Sequence, residues 1–214
     1  MKKDIVIFGA GDFGREVVWM IKRINVQRDE WNILGFVDDV KEIGTVVDGY
    51  TVLGGSEWLK MYEKEIYCVC ALGNGAPRKV VMEAFGCNPN IKYPVLVDPS
   101  VIIGADCQVG EGSIICAGNI LAINVQVGKH VIINLGGTLG HDDEIGDYCT
   151  INPGCNLSGR VHTGECVDIG TGTKIIQGIQ VVGDTTIGAG SVVVRNIEQS
   201  GTYVGVPVKA IKLK

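Results

Sequence analysis

The feature that most narrows what this chain can become is a six-residue frame running from Val97 to Val193. Stepping by six from Val97 meets Ile103, Val109, Ile115, Leu121, Val127, Ile133, Leu139, Ile145, Ile151, Leu157, Thr163, Ile169, Ile175, Val181, Ile187 and Val193, sixteen aliphatic residues among seventeen. Glycine follows directly at 104, 110, 128, 140, 146, 164, 170 and 188, and the fourth residue after the aliphatic one is mostly Val, Cys, Ser, Thr, Asn or Gly. A β-sandwich alternates at period two and would not hold an aliphatic frame at period six over about a hundred residues. An unbroken hexad period marks a parallel β-helix, in which each hexad supplies one short strand and one corner and three hexads close a triangular coil. The aliphatic residue is expected to face inward, the small residue four positions on to fill the corner, and glycine to accept the backbone of the tight turn. Stacked at roughly 4.8 Å per coil, such hexads make a prism on the order of 27 Å long.

The residues before the frame have a different rhythm. Ile5-Val6-Ile7-Phe8 is a short apolar run, followed by a glycine turn and a helical spacing of apolar residues from Glu16 to Ile24. Ile33 to Asp39 reads as a second strand, Tyr67 to Leu72 as a further one and Arg78 to Phe85 as a helix. Strands alternating with helices predict a parallel sheet covered by helices. The expected fold is therefore an α/β Rossmann-like parallel sheet domain over residues 1–95, followed by an all-β parallel β-helix of hexapeptide repeats over 96–214.

Composition narrows the partners. With 31 glycines and only 6% aromatic residues, the apolar mass is Val, Ile and Leu punctuated by glycine, which suits many short strands. A formal charge of −5 and no Lys/Arg cluster argue against a nucleic-acid partner. No apolar run reaches the length of a membrane span, and Met1-Lys2-Lys3-Asp4-Ile5 leads into a strand rather than a signal-peptide core, so a cytoplasmic protein without membrane insertion is expected. The eight cysteines include no C-x-x-C pair and are expected to be reduced; Cys107, Cys149 and Cys155 fall at the corner position, where a small apolar side chain is wanted.

Three histidines make the search for a base short: His130, His141 and His162. His141 lies in Leu139-Gly140-His141-Asp142-Asp143-Glu144-Ile145, two residues beyond the inward aliphatic one, where its side chain faces away from the coil interior. A histidine titrates near neutrality and can take a proton, and the carboxylate of Asp142 can hold its tautomer. A solvated surface histidine beside acids is the alternative. The separations of 11 and 21 residues between the histidines are not whole coils of 18, so three of them converging on zinc is not expected, and no metal site is assigned. His130 and His162 read as exposed corner residues.

Gly9-Ala10-Gly11-Asp12-Phe13-Gly14 follows a strand and opens a helix, the setting in which a G-x-G-x-x-G run lets backbone amides approach a diphosphate. Asp38 and Asp39, at the end of the second strand, are placed to accept hydrogen bonds from a ribose or base. The α/β part is too short for the two halves of an NAD-binding domain, so a nucleotide-linked sugar is the expected ligand.

These residues together resemble the bacterial sugar acetyltransferases of the sialic-acid, bacillosamine and perosamine types. The resemblance covers essentially the whole chain and is carried by Gly9-Ala10-Gly11, Phe36-Val37-Asp38-Asp39, Ala71-Leu72-Gly73-Asn74 with Arg78, His141-Asp142 before Ile145-Gly146-Asp147, Leu157-Ser158-Gly159 and Val204-Gly205-Val206-Pro207-Val208-Lys209. It implies a left-handed coil, a homotrimer with active sites between subunits, acetyl-CoA as acyl donor, and His141 as general base with Asp142 raising its basicity. It also implies acetyl-CoA contacts at Thr150, Gly159, Thr171 and Ala189, and nucleotide-sugar contacts at Gly11, Asp12, Phe13, Asp38, Asp39 and Gly73. Phe13 departs from the histidine that many relatives carry there, and Thr150 from a histidine seen in some.

The implied activity is N-acetylation of the amine of a nucleotide-linked amino-dideoxy sugar for a cell-surface glycan precursor. Two other readings stand beside it. One is an O-acetyltransferase acting on sialic acid or another sugar; the other is a non-catalytic scaffold that senses a nucleotide sugar.

Overall fold

A computed structural model describes residues 2–86 and 88–213. Cys87 lies outside the described residues; the other seven cysteines are free, and Cys149 and Cys155 are fully buried at the corner position.

The chain opens with β1 (Lys3–Phe8), α1 (Asp12–Gln27), β2 (Trp31–Val37), β3 (Val46–Val47), β4 (Tyr50–Gly54), α2 (Ser56–Lys60), β5 (Ile66–Cys70), α3 (Gly75–Phe85) and β6 (Ile91–Lys92). These strands form one sheet in the order β3-β4-β2-β1-β5-β6, parallel except for the β3–β4 hairpin. Strand order reverses at β1 and β5, so the loops leaving those two strands flank the crevice where such sheets bind ligands.

Several boundaries differ from the expectation, each for a local reason. Helix α1 begins at Asp12, four residues before Glu16, with Gly11 as its cap and Asp12, Phe13, Gly14 and Arg15 as its first turn. Strand β2 ends at Val37: the Asp38 carboxylate accepts N–H bonds from Val40 and Lys41 and turns the chain. Helix α3 begins at Gly75, with the Asn74 side chain accepting from the Ala76 N–H at 3.1 Å. The β3–β4 hairpin, α2 and β6 had no periodic signal because each is short.

From Leu96 the chain makes seventeen two-residue strands, β7 (Leu96–Val97) to β23 (Val192–Val193), each ending on a residue of the hexad frame. They stack into three parallel sheets in steps of eighteen residues. From Ile115 onward every frame residue is buried, Thr163 included at 8% exposure. The first coil departs from the inward-facing expectation: Ile103 is 42% exposed, because no coil lies beneath it. At the other end, β24 (Gly201–Val204) and β25 (Lys209–Leu213) form an antiparallel hairpin whose Tyr203, with Val208 in its turn, packs on the coil core.

The sheet containing β7 is covered by the N-terminal elements. Its outward residues Leu96, Ile114 and Ile132 belong to the same buried cluster as Val17, Met20 and Ile21 of α1 and Phe36 of β2. Burying that apolar face is what docks the two parts. Arg23 of α1 reinforces the dock with a two-pronged bond to buried Asp98, at 2.7 and 3.1 Å. No helix among the described residues is long and apolar enough to cross a membrane.

Candidate active site

The three coil edges differ in what they carry. His141, Asp142 and Asp143 occupy the turn between Thr138–Leu139 and Glu144–Ile145, and Gly159 sits one coil further along the same edge. His141 Nδ1 lies 2.8 Å from Asp142 Oδ2, and Asp142 Oδ1 accepts from Asn124 Nδ2 at 2.8 Å. The bonds from Asn124 and then His141 hold the Asp142 carboxyl below its ordinary value. Asp142 adopts a left-handed φ of 61°, which Asn and Asp tolerate better than most residues, and Asn124 repeats it at 56° one coil below.

With Nδ1 bonded to the carboxylate, the tautomer that donates from Nδ1 leaves the Nε2 lone pair free. That atom faces Gly159: a Cβ at Gly159, whose φ is 95°, would lie 2.9 Å from His141 Nε2. No bulkier residue fits beside the imidazole. Among the hydrogen bonds of the described residues none uses the Gly159 N–H, while its neighbour Arg160 donates to His141 O at 2.8 Å. The edge therefore presents an imidazole, an orienting carboxylate and an uncommitted amide on two stacked turns.

Two residues of this edge escaped sequence reasoning. Asn124 is an ordinary turn residue until coil stacking sets it beside Asp142. Asp143 is fully buried, accepting from Gly140 N–H and Val161 N–H at 2.8 Å each. Burial pushes its carboxyl up to about 6, opposed by those two N–H groups and by His141 and His162.

The other histidines divide. His162 is half-exposed, with Nδ1 3.3 Å from Glu144 Oε2. His130 is not the exposed corner residue expected: it is 5% exposed, stacked on Tyr148 with ring centroids 5.3 Å apart and edge-on to Tyr93 at 5.0 Å. Its Nδ1 has no hydrogen-bond partner, and burial lowers its pKa to about 4. The cause is the dock: Tyr93 arrives from the N-terminal part and closes over an edge that would otherwise meet water. No group of three or more His, Cys, Asp or Glu side chains that could hold a metal ion occurs among the described residues.

The six nucleotide-contact candidates Gly11, Asp12, Phe13, Asp38, Asp39 and Gly73 all line one cleft of 490 Å³ at the strand-order reversal, together with Gly9 and Leu72. No side chain caps α1 at this cleft, so its first-turn amides face it unclaimed by side chains. Gly9 has a φ of 102°, and a Cβ on Gly14 would lie 2.1 Å from Gly9 O, so this loop requires glycine at both positions. The two aspartates behave differently from expectation. Burial works against ionisation of Asp38, but N–H bonds from Ala10, Lys41 and Val40 outweigh it and lower the pKa. Asp39 accepts from the Ser56 N–H and hydroxyl, at 2.5 Å each. Both carboxylates thus already brace the walls of the cleft.

Thr150, expected at the acetyl-CoA contacts, is 3% exposed in the single chain, donating to Gly73 O at 2.6 Å and accepting from Arg78 Nη2 at 3.0 Å. It lies on the docked sheet, where it joins the coil to the cleft wall. Arg78 does the same more extensively: its buried guanidinium also donates to the carbonyls of Leu72, Gly73, His130, Tyr148 and Cys149. Thr171 and Ala189 are exposed eighteen residues apart on another coil edge, following Asp168–Ile169 and Thr186–Ile187. One chain therefore does not bring them to His141 and Gly159. The nucleotide cleft is likewise tied to the edge carrying Tyr148 and Cys166, not to the edge of His141.

Comparison with known proteins places the fold. The PglD N-terminal domain family matches residues 4–85. The chain superposes on the acetyltransferase domain of PglB from Neisseria gonorrhoeae with a TM-score of 0.90 at 28% identity, covering 98% of this chain and 100% of that one. PerB from Caulobacter crescentus, solved with CoA and GDP-perosamine, gives 0.87 at 28% identity over 97% and 96%. WeeI from Acinetobacter baumannii AYE gives 0.88 at 25% identity over 98% and 100%. No curated protein sequence matches the chain.

A parallel α/β sheet docked on a left-handed β-helix of hexapeptide repeats defines an acyltransferase of the hexapeptide-repeat class. Within that class the chain is similar along its whole length to sugar acetyltransferases such as the PglB acetyltransferase domain and PerB, and its residues 4–85 match the PglD N-terminal domain.

Proposed function

We propose that this protein transfers the acetyl group of acetyl-CoA to the amine of a nucleotide-linked amino-dideoxy sugar, in the cytoplasm, with His141 as general base. The observation that carries the reading is the His141 imidazole, bonded through Nδ1 to Asp142 and leaving Nε2 against the open Gly159 turn. The sugar amine attacks the thioester carbonyl while Nε2 takes its proton; Asp142 stabilises the imidazolium that results. The Gly159 N–H is positioned to stabilise the oxyanion, and collapse expels the CoA thiolate, which takes the proton back from His141. PerB, solved with CoA and GDP-perosamine, supports an amine rather than a hydroxyl as the acceptor.

Residues 1–95 act in this reading as the nucleotide-sugar-binding domain and 96–214 as the acetyltransferase domain. The nucleotide enters the cleft of Gly11, Asp12, Phe13, Asp38, Asp39 and Gly73, using chiefly backbone amides because the aspartates are engaged. Phe13 offers an apolar wall in place of a hydrogen-bonding one. Because that cleft, His141 and the Thr171–Ala189 edge lie on different edges of one prism, a complete site needs neighbouring chains. Acetyl-CoA then lies between Gly159 of one chain and Thr171 and Ala189 of the next, in a homotrimer.

The test is thiol release from acetyl-CoA with a panel of UDP-, GDP- and dTDP-linked 4-amino-4,6-dideoxy sugars, and sialic acids as hydroxyl acceptors. Turnover with an amino sugar that collapses in H141N is expected. An H141N rate within a few-fold of the parent refutes the base, release only with sialic acids refutes the amine acceptor, and an active monomer by gel filtration refutes the shared site.

A further inference from the structure

Stepping by eighteen along the His141 edge gives the corner column Cys107, Val125, Asp143, Val161, Ile179 and Ile197. Val125, Val161, Ile179 and Ile197 are buried apolar side chains, so the coil has no general need of an acceptor here. Asp143 is the one carboxylate of the column, and it occurs in the hexad that carries His141 and Asp142. A carboxylate enclosed among apolar side chains is strongly unfavourable unless its oxygens are bonded. Both are: Oδ2 accepts from Gly140 N–H and Oδ1 from Val161 N–H, each at 2.8 Å. Gly140 immediately precedes His141, and Val161 follows the Gly159–Arg160 turn against which the imidazole packs.

We infer that Asp143 is a positioning residue for acetyl transfer, clamping the His141 turn of one coil to the Gly159 turn of the next from inside the prism. The inference rests on His141 being the general base. The clamp fixes the two groups whose separation matters in the transition state, the imidazole and the Gly159 amide, without touching either substrate. Near neutrality the buried carboxyl is ionised, burial having pushed it up only to about 6, and both oxygens accept. Its protonation turns one acceptor into a donor facing an N–H and opens the clamp. The charged groups whose fields reach it are His141 on its own turn and His162 on the strand above. Asp142 and Glu144, its chain neighbours, have side chains 45% and 61% exposed, and Arg160 is exposed on the next turn.

The experiment measures acetylation by D143V, D143N and H141N across pH 5 to 8.5, using the amino-sugar nucleotide that the parent turns over fastest, with circular dichroism to confirm folding. Valine is what the column holds one coil above and below, and asparagine is isosteric, so D143N decides the matter if D143V fails to fold. Expected are a kcat lower by on the order of tenfold or more and KM values for both substrates within about threefold of the parent. The acid limb should lose the contribution that Asp143 protonation makes to it in the parent, and so fall less steeply. Folded D143V or D143N with parental kcat and slope, beside an inactive H141N, overturns the inference and leaves the base assignment standing. Raised KM at unchanged kcat also overturns it. An active H141N removes the base assignment and the inference with it.

Discussion

Replacing Arg78 by methionine removes a guanidinium that is 1% exposed but keeps most of the volume of its stem. Six acceptors surround that group: the carbonyls of Leu72, Gly73, His130, Tyr148 and Cys149, and Thr150 Oγ1. Gly73 O keeps the Thr150 hydroxyl and Cys149 O keeps the Ile132 N–H, whereas Leu72, His130 and Tyr148 show no other hydrogen bond to their carbonyls. Each buried acceptor left unpaired is unfavourable by about 1–3 kcal/mol, so three give a gross loss of roughly 3–9 kcal/mol. Against this stands the desolvation of the guanidinium, which also lowers the Arg78 pKa and is recovered in the variant. The net loss should fall near 3–5 kcal/mol, roughly the range seen when one member of a buried charged network is removed. All three tryptophans, Trp19, Trp31 and Trp58, lie in the N-terminal part, so fluorescence follows that part while far-UV circular dichroism also follows the coil. Guanidinium unfolding of R78M should show an earlier fluorescence transition that separates from the dichroism transition. R78K, with three donors, should recover part of the loss. An R78M stability within about 1 kcal/mol of the parent, with coincident transitions, would refute the view that this side chain ties the cleft wall to the coil.

Other perturbations follow from single geometric facts. His130, at about 4 when folded against an ordinary 6.5, binds fewer protons in the native state; the native state loses nothing above pH 6.5 on this account and progressively more as pH falls to 4. H130F keeps the ring contacts and should reduce the acid-induced stability loss by about 3 kcal/mol between pH 7 and pH 4, measured by denaturant midpoints at both pH values. Gly159→Ala puts a Cβ 2.9 Å from His141 Nε2 at a φ of 95°, so kcat should fall on the order of a hundredfold with a stability loss of about 1–3 kcal/mol from the strained backbone, and parental turnover would exclude Gly159 from the site. Gly14→Ala collides with Gly9 O at 2.1 Å, whereas Gly11→Ala meets nothing within 4 Å. Calorimetric titration with the nucleotide sugar should find binding lost in the first; the second, whose Cβ enters only the open cleft, should keep the parental melting temperature.

Much of this fold can be read from the chain because its information is periodic. The frame from Val97 to Val193 locates all seventeen coil strands, since a one-residue slip would turn an Ile or Leu outward. The β1–glycine–α1 start is legible for a different reason: Gly9 and Gly14 are needed where the chain turns sharply and where helix and strand backbones nearly touch. What escapes is set by contacts between parts. Asn124 becomes a partner of Asp142 only through an eighteen-residue stack. His130 looks like an exposed turn residue until Tyr93 covers it. Thr150 sits at an outward strand position, and only the docking of α3 turns that outward face into an interior.

The buried aspartate shows where a further layer of the site was accessible. Reading by six compares residues that do the same job on different faces, so a corner set containing Ser, Thr, Asn and Cys makes an Asp unremarked. Reading by eighteen compares residues stacked on one edge, and there Asp143 stands between Val125 and Val161. A carboxylate in that column brings a desolvation penalty with no structural requirement behind it, because its neighbours meet the same corner with hydrocarbon. A group kept at such a penalty is a candidate for work elsewhere, and the nearest reactive side chain is two residues away. The same eighteen-residue comparison separates the edges themselves: His141 and Gly159 fall on one, Thr171 and Ala189 on a second, Tyr148 and Cys166 on the third beside the nucleotide cleft. A single prism cannot fold those edges together, so a site assembled from all three requires that the coils meet edge to edge.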